Sequence, residues 1–208
     1  MSEFFAITFL ILLASISPGP DFAMVTKNSL MYSRKEGLLS ALGISISLLI
    51  HATYCIFGLA IVISQSLLAF SVIKYLGASY MIYIGIKSLF AKKEKVSLNL
   101  HHTRRLMTAF QAFRQGFFCN LLNPKAIMFL LAFFTLVVKP NSSLFLEMGY
   151  GFEIAIIHLI WFSLLSYILT HRNVRSNLSR IQFYIVKIMG VVLVAFGVKI
   201  ALLHRSLT

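Results

Sequence analysis

Residues 37–73 read GLLSALGISISLLIHATYCIFGLAIVISQSLLAFSVI, and between Gly37 and Ile73 there is no Asp, Glu, Lys or Arg. An uncharged apolar run of about 20 residues covers the hydrocarbon core of a bilayer as one helix, so this run is too long for one span and long enough for most of two. The only polar cluster suited to a turn is Ser64-Gln65-Ser66, which is where two helices are expected to part. The rest of the chain agrees. Of its 208 residues 59% are hydrophobic and 12% charged, with a mean hydropathy of +0.86. A soluble domain carries about a quarter charged residues, and this chain lacks the polar side chains to cover one. The expected fold class is an all-α membrane protein.

Six apolar segments can be marked: about Phe4–Thr26, Leu38–Ser64, Leu67–Phe90, Phe113–Val138, Leu144–Thr170 and Ile181–Leu203. The net charge of +13 is not the mark of a nucleic-acid binder, because the basic residues fall in short segments between apolar runs. Lys27, Arg34 and Lys35 lie between the first and second segments. Lys92, Lys93, Lys95, Arg104 and Arg105 lie in the loop 91–112, and Arg172, Arg175 and Arg180 follow the fifth segment. The positive-inside rule places these three connections in the cytoplasm and both termini outside. Lys199 and Arg205 run against that orientation. The N-terminal apolar stretch has no basic residue before it and reads as a retained helix, not a cleaved signal. Cys55 and Cys119 sit in apolar runs without metal-ligand spacing, so free thiols are expected, with no metal and no cofactor.

The two halves look related. One domain, 1–208, is expected, with halves of about 1–90 and 113–208 joined by the basic loop 91–112. Ser17-Pro18 interrupts the first segment and Asn123-Pro124 the fourth. His51 and His158 follow these prolines at similar distances, and Lys74-Tyr75-Leu76-Gly77 is echoed by Lys187-Ile188-Met189-Gly190. Three helices per half make the second copy enter from the opposite side. Such inverted repeats carry their sites at interrupted helices near the midplane.

The interruptions hold the chemistry. Ser17-Pro18-Gly19-Pro20-Asp21 removes two backbone donors, adds a flexible joint and ends on the only aspartate in the chain. Polar backbone freed at membrane depth must face protein or water, and an acid placed there is costly unless paired, hydrated or protonated. Asp21 therefore suits a substrate ammonium group or a coupling proton. The plainer alternative is an acid that caps the helix restarted after Pro20 and pairs with Lys27. In the fourth segment Asn120 and Asn123 are three apart, on one expected helical face, followed by Pro124 and Lys125. Their amides can repair the break or grip a zwitterion. Lys125, near the middle of its run, needs a partner such as Asp21 or a substrate carboxylate, or else snorkels. His51 and His158 are weaker candidates, as relay groups or as interhelical hydrogen-bond partners. Lys74 and Lys187 are expected to snorkel, and Glu153 to lie near an interface.

At Ser17-Pro18-Gly19-Pro20-Asp21 and Asn120-x-x-Asn123-Pro124-Lys125-Ala126 the sequence resembles the LysE/RhtB superfamily of bacterial amino-acid exporters. Lys74-Tyr75-Leu76-Gly77 through Gly85 is similar to that family's third-helix pattern. The resemblance spans essentially the whole chain and implies six transmembrane helices. It also implies an inner-membrane secondary exporter of amino acids or derivatives, driven by the proton-motive force, with threonine- and homoserine-type substrates in the RhtB-like branch. Family functional residues carry onto Ser17, Pro18, Gly19, Pro20, Asp21, Asn120, Asn123, Pro124 and Lys125. The implied partners are a small-molecule substrate and membrane lipid, with a homo-oligomer left open. Two rival classes, a membrane-embedded enzyme and a non-transporting scaffold or sensor, lack support: no HExxH, GxSxG or His/Cys cluster occurs, and no long partner-binding loop.

Overall fold

The computed structural model describes residues 2–16, 19–90, 107–137, 142–170 and 178–202. Ser17, Pro18, the loop 91–106 and the connection 171–177 therefore lie outside the described residues. Those described are all helical, without a strand, in eight helices: α1 (Ser2–Ile16), α2 (Pro20–Met31), α3 (Arg34–Gln65), α4 (Leu67–Leu89), α5 (Ala109–Leu121), α6 (Pro124–Val137), α7 (Leu144–Leu169) and α8 (Leu178–Leu202). Three of these, α3, α4 and α7, are long and apolar enough to cross a membrane. The pairs α1–α2 and α5–α6 pass the same test when each is taken as one span, bent by 55° and 56°. Up to five spans are thus visible. In α8 the apolar stretch among the described residues is Gly190–Leu202.

The ends of the helices follow from local chemistry. Ser33 caps α3 by accepting from the Lys35 amide at 3.1 Å, and the single residue Ser66 separates α3 from α4, its hydroxyl accepting from the Ala69 amide at 3.1 Å. That narrows the expected turn at 64–66 to one residue. Thr108 and Gln111 close a reciprocal capping box at the start of α5. Pro20 and Pro124 each occupy a helical first turn, where the helix that they open makes no use of the missing N–H. The first apolar segment is broken as expected, but its second piece runs on to Met31, past the expected end at Thr26, and carries Lys27 within it.

Packing relies on small residues. Helix α4 runs antiparallel to α8: a Cβ on Gly85 would meet the Gly190 carbonyl oxygen at 2.8 Å, and one on Gly197 would meet that of Ala78 at 2.8 Å. Lys187 donates to the carbonyl of Leu89, the last residue of α4, so it satisfies a helix end instead of reaching for water. Helix α3 lies parallel to α5, with Gly116 against the Ser40 backbone and Gly43 against the Phe113 carbonyl. Ser45 donates to the Ala155 carbonyl at 2.8 Å and ties α3 to α7. Arg34 at the start of α3 reaches Thr170 at the end of α7 at 3.2 Å, which brings two of the basic connections to one end of the molecule. Near that end lies a buried polar cluster. Asn28 donates to Ser40 at 2.8 Å and to Gln115 at 3.3 Å, and Ser29 donates to Ser166 at 2.9 Å.

Candidate functional site

The two breaks meet. Asp21, in the first turn of α2, accepts through Oδ2 from Asn120 Nδ2 at 3.0 Å and from Asn123 Nδ2 at 3.0 Å. Its other oxygen, Oδ1, is buried and has no hydrogen-bond partner among the described residues, with the Cys119 thiol, a weak donor, close to the carboxylate. Asn120 Oδ1 is likewise buried and unpartnered. Asp21 is not the cap of the helix that restarts at Pro20, whose N-cap is Gly19 with no side-chain hydrogen bond; it is the acceptor that joins the two interruptions.

Asn120 and Asn123 do not share a helical face as their spacing suggests. Asn120 is in the last turn of α5, whereas Asn123 lies past that helix and caps α6, its Oδ1 accepting from the Lys125 amide at 3.0 Å. The reason is Pro124, which forces the chain out of the helix and leaves Asn123 in the residue type and position favoured for an N-cap. The amides converge on Asp21 because the chain turns between them.

Lys125 is in the first turn of α6. A Cβ on Gly19 would meet its Nζ at 3.4 Å, so the glycine of the first break is the floor on which the ammonium rests. The ammonium is also within electrostatic reach of the Asp21 carboxylate. Pro20 and Pro124 stand at the two helix restarts, and Ser17 and Pro18 lie outside the described residues.

The histidines part company. His51 Nε2 is 3.2 Å from the backbone oxygen of Asn120, and its Nδ1 pairs with the Tyr54 hydroxyl. His158 bonds through Nδ1 to the Ile154 carbonyl of its own helix at 2.8 Å. His51 thus makes the interhelical bond expected of a lone membrane histidine; His158 does not.

Asp21, Asn120, Asn123, Lys125 and His158 line one cavity whose envelope, open space at the mouth included, is ≈ 630 Å³. Its remaining wall is largely apolar, with Phe129, Leu130 and Phe162, and Tyr80 adds a hydroxyl. A mostly apolar pocket with a few convergent polar groups is the usual form of a small-molecule site. The residues that sequence reasoning missed here are Cys119 and Tyr80. Only the three-dimensional packing brings either to Asp21 or to the cavity. Among the described residues no group of three or more His, Cys, Asp or Glu is placed to hold a metal.

The chain matches the family model for the LysE type translocator over residues 12–204. It is 32% identical over 194 residues to an uncharacterised membrane protein, YrhP, of Bacillus subtilis, covering 90% of this chain and 92% of that one. It is 28% identical to a threonine efflux protein of Escherichia coli K12, covering 94% and 95%. A homoserine/homoserine lactone efflux protein of Salmonella typhimurium is 32% identical over 62% of each chain. No solved structure matches the chain. With a charged, two-break cavity inside a bundle of apolar helices, and a family match over nearly its whole length, the chain belongs to the LysE type translocators: it is a multi-pass membrane transporter and not an enzyme.

Proposed function

We propose that this protein exports amino acids or close derivatives from the bacterial cytoplasm as a proton-motive-force-driven secondary transporter. The observation that carries the reading is that opposite charges, Asp21 and Lys125, face one cavity at the meeting point of two broken helices. A zwitterion needs both. Its ammonium group would supply donors to Asp21 Oδ1 and Asn120 Oδ1, two buried cavity-residue oxygens without hydrogen-bond partners among the described residues, while its carboxylate would take the Lys125 ammonium. Asp21 is also the group able to carry a coupling proton. The names of two relatives, a threonine and a homoserine efflux protein, support small, hydroxylated substrates.

Overexpression should raise tolerance to a toxic excess of at least one of threonine, homoserine, leucine or a basic amino acid. It should also lower intracellular retention of the same labelled compound, and an uncoupler should abolish both effects. Unchanged tolerance and retention for all of them, with the protein verified in the membrane, would overturn the export reading.

In this reading the chain has six spans in two inverted halves, α1–α4 and α5–α8, with the site between them and exposure alternating as the halves rock about the proline breaks. The antiparallel pairing of α4 with α8 and of α3 with α7 supports it, since corresponding helices of the two halves pack against each other. A periplasm-active reporter fused after Ser64 or after Ser143 should give signal at both positions. Signal from a fusion at Lys95 instead would reverse the orientation.

A further inference from the structure

Pro124 has a consequence for a carbonyl four residues earlier. In a continuous helix the backbone oxygen of Asn120 would accept from the amide of residue 124, and proline has no amide hydrogen. That oxygen takes the Asn123 amide at 2.9 Å and, from outside its own helix, His51 Nε2 at 3.2 Å. A carbonyl can only accept, so Nε2 carries a proton, and in the neutral ring Nδ1 is left to accept from the Tyr54 hydroxyl. His51 is 1% exposed and Asn120 1% exposed, so water does not compete for either group.

We infer that His51 is a positioning residue for the substrate site: it replaces the backbone donor that Pro124 removes and so holds the Asn120 amide on Asp21. The inference rests on the export reading for its functional consequence. Its structural half stands on the hydrogen bond alone. Tyr54 belongs to the same device, because it fixes which ring nitrogen faces Asn120.

The experiment measures export of labelled threonine, homoserine, leucine and a basic amino acid in cells and thermal midpoints of the purified protein in detergent. His51→Leu removes the donor and should raise the half-saturating concentration of the exported compound about tenfold, one lost buried hydrogen bond to a binding group. His51→Gln keeps an N–H near the position of Nε2 and should restore it to within about threefold, a few tenths of a lost hydrogen bond. His51→Leu combined with Asn120→Ala should be no worse than Asn120→Ala alone, since the histidine acts through that residue. Independent of transport, His51→Leu should lower the midpoint by about 2–4 °C. In a Pro124→Ala background, where residue 124 regains its amide, the same change should cost half of that or less.

Unchanged half-saturation in folded His51→Leu protein, or full additivity with Asn120→Ala, overturns the proposal. An equal midpoint loss in both backgrounds overturns its structural half. Should His51→Leu fail to insert, Tyr54→Phe carries the test, since Tyr54 is 41% exposed and its loss leaves the core intact; half-saturation unchanged there is equally fatal. A chain that exports none of these compounds while keeping the Pro124-dependent midpoint difference refutes the export reading and spares the hydrogen bond.

Discussion

Replacing Asp21 by asparagine is expected to lower efflux at least about tenfold, while Lys125→Met is expected to do the same. Asp21→Asn preserves shape but removes the charge that two asparagine amides converge on at 3.0 Å. It also removes the titratable proton. Hydrogen bonds to a charged group are worth roughly 1.5–3 kcal/mol, and one lost factor of ten in rate corresponds to about 1.4 kcal/mol. Lys125→Met keeps the apolar stem that packs on Gly19 and removes only the ammonium. Because both charges face one cavity, the double variant should be scarcely worse than the worse single one. Efflux by well-inserted Asp21→Asn protein at the parental rate would reduce Asp21 to a structural link between the breaks.

The second large effect concerns stability. Gly116 packs against the backbone of Ser40, and an added Cβ would overlap that backbone's carbonyl group. Neither partner is the end of a flexible side chain, so α3 and α5 must separate. Gly116→Ala is expected to cost about 3 kcal/mol, the upper end for overpacked cores, and to lower the thermal midpoint in detergent by roughly 6 °C or more. The same substitution at Gly149, where a Cβ meets nothing within 4 Å, should be neutral or slightly stabilising through helix propensity. Equal behaviour of the two variants would mean that the close approach of α3 and α5 is not what holds this end together.

The broken helices were legible because proline acts locally: Pro20 and Pro124 dictate where a helix can restart whatever surrounds them. The uncharged run 37–73 and its turn were legible for a similar reason, since length and apolarity leave few alternatives in a bilayer. The site was legible as a set of residues but not as a geometry. Spacing placed Asn120 and Asn123 on one face of a helix, and the break that was itself foreseen moved Asn123 out of it. The role of His51 was within reach of arithmetic, since the residue four before Pro124 must lose a donor. Which side chain would supply the replacement depended on how α3 lies beside α5. The cluster of Asn28, Ser40 and Gln115 gave no signal at all, because its members come from three helices and carry no shared spacing.

Asn123 has hydrogen bonds at both ends of one short amide. Its nitrogen donates to Asp21 of α2 and its oxygen accepts from the Lys125 amide at the start of α6. In mechanical terms this is a strut about one side chain long between two half-helices from opposite halves of the chain. Relative movement of the two half-helices has to be taken up by the torsions of this one side chain or by one of its two hydrogen bonds. Removing the Asp21 acceptor would cut this link between the half-helices and free the Asn123 nitrogen, while the cap on the Lys125 amide would remain.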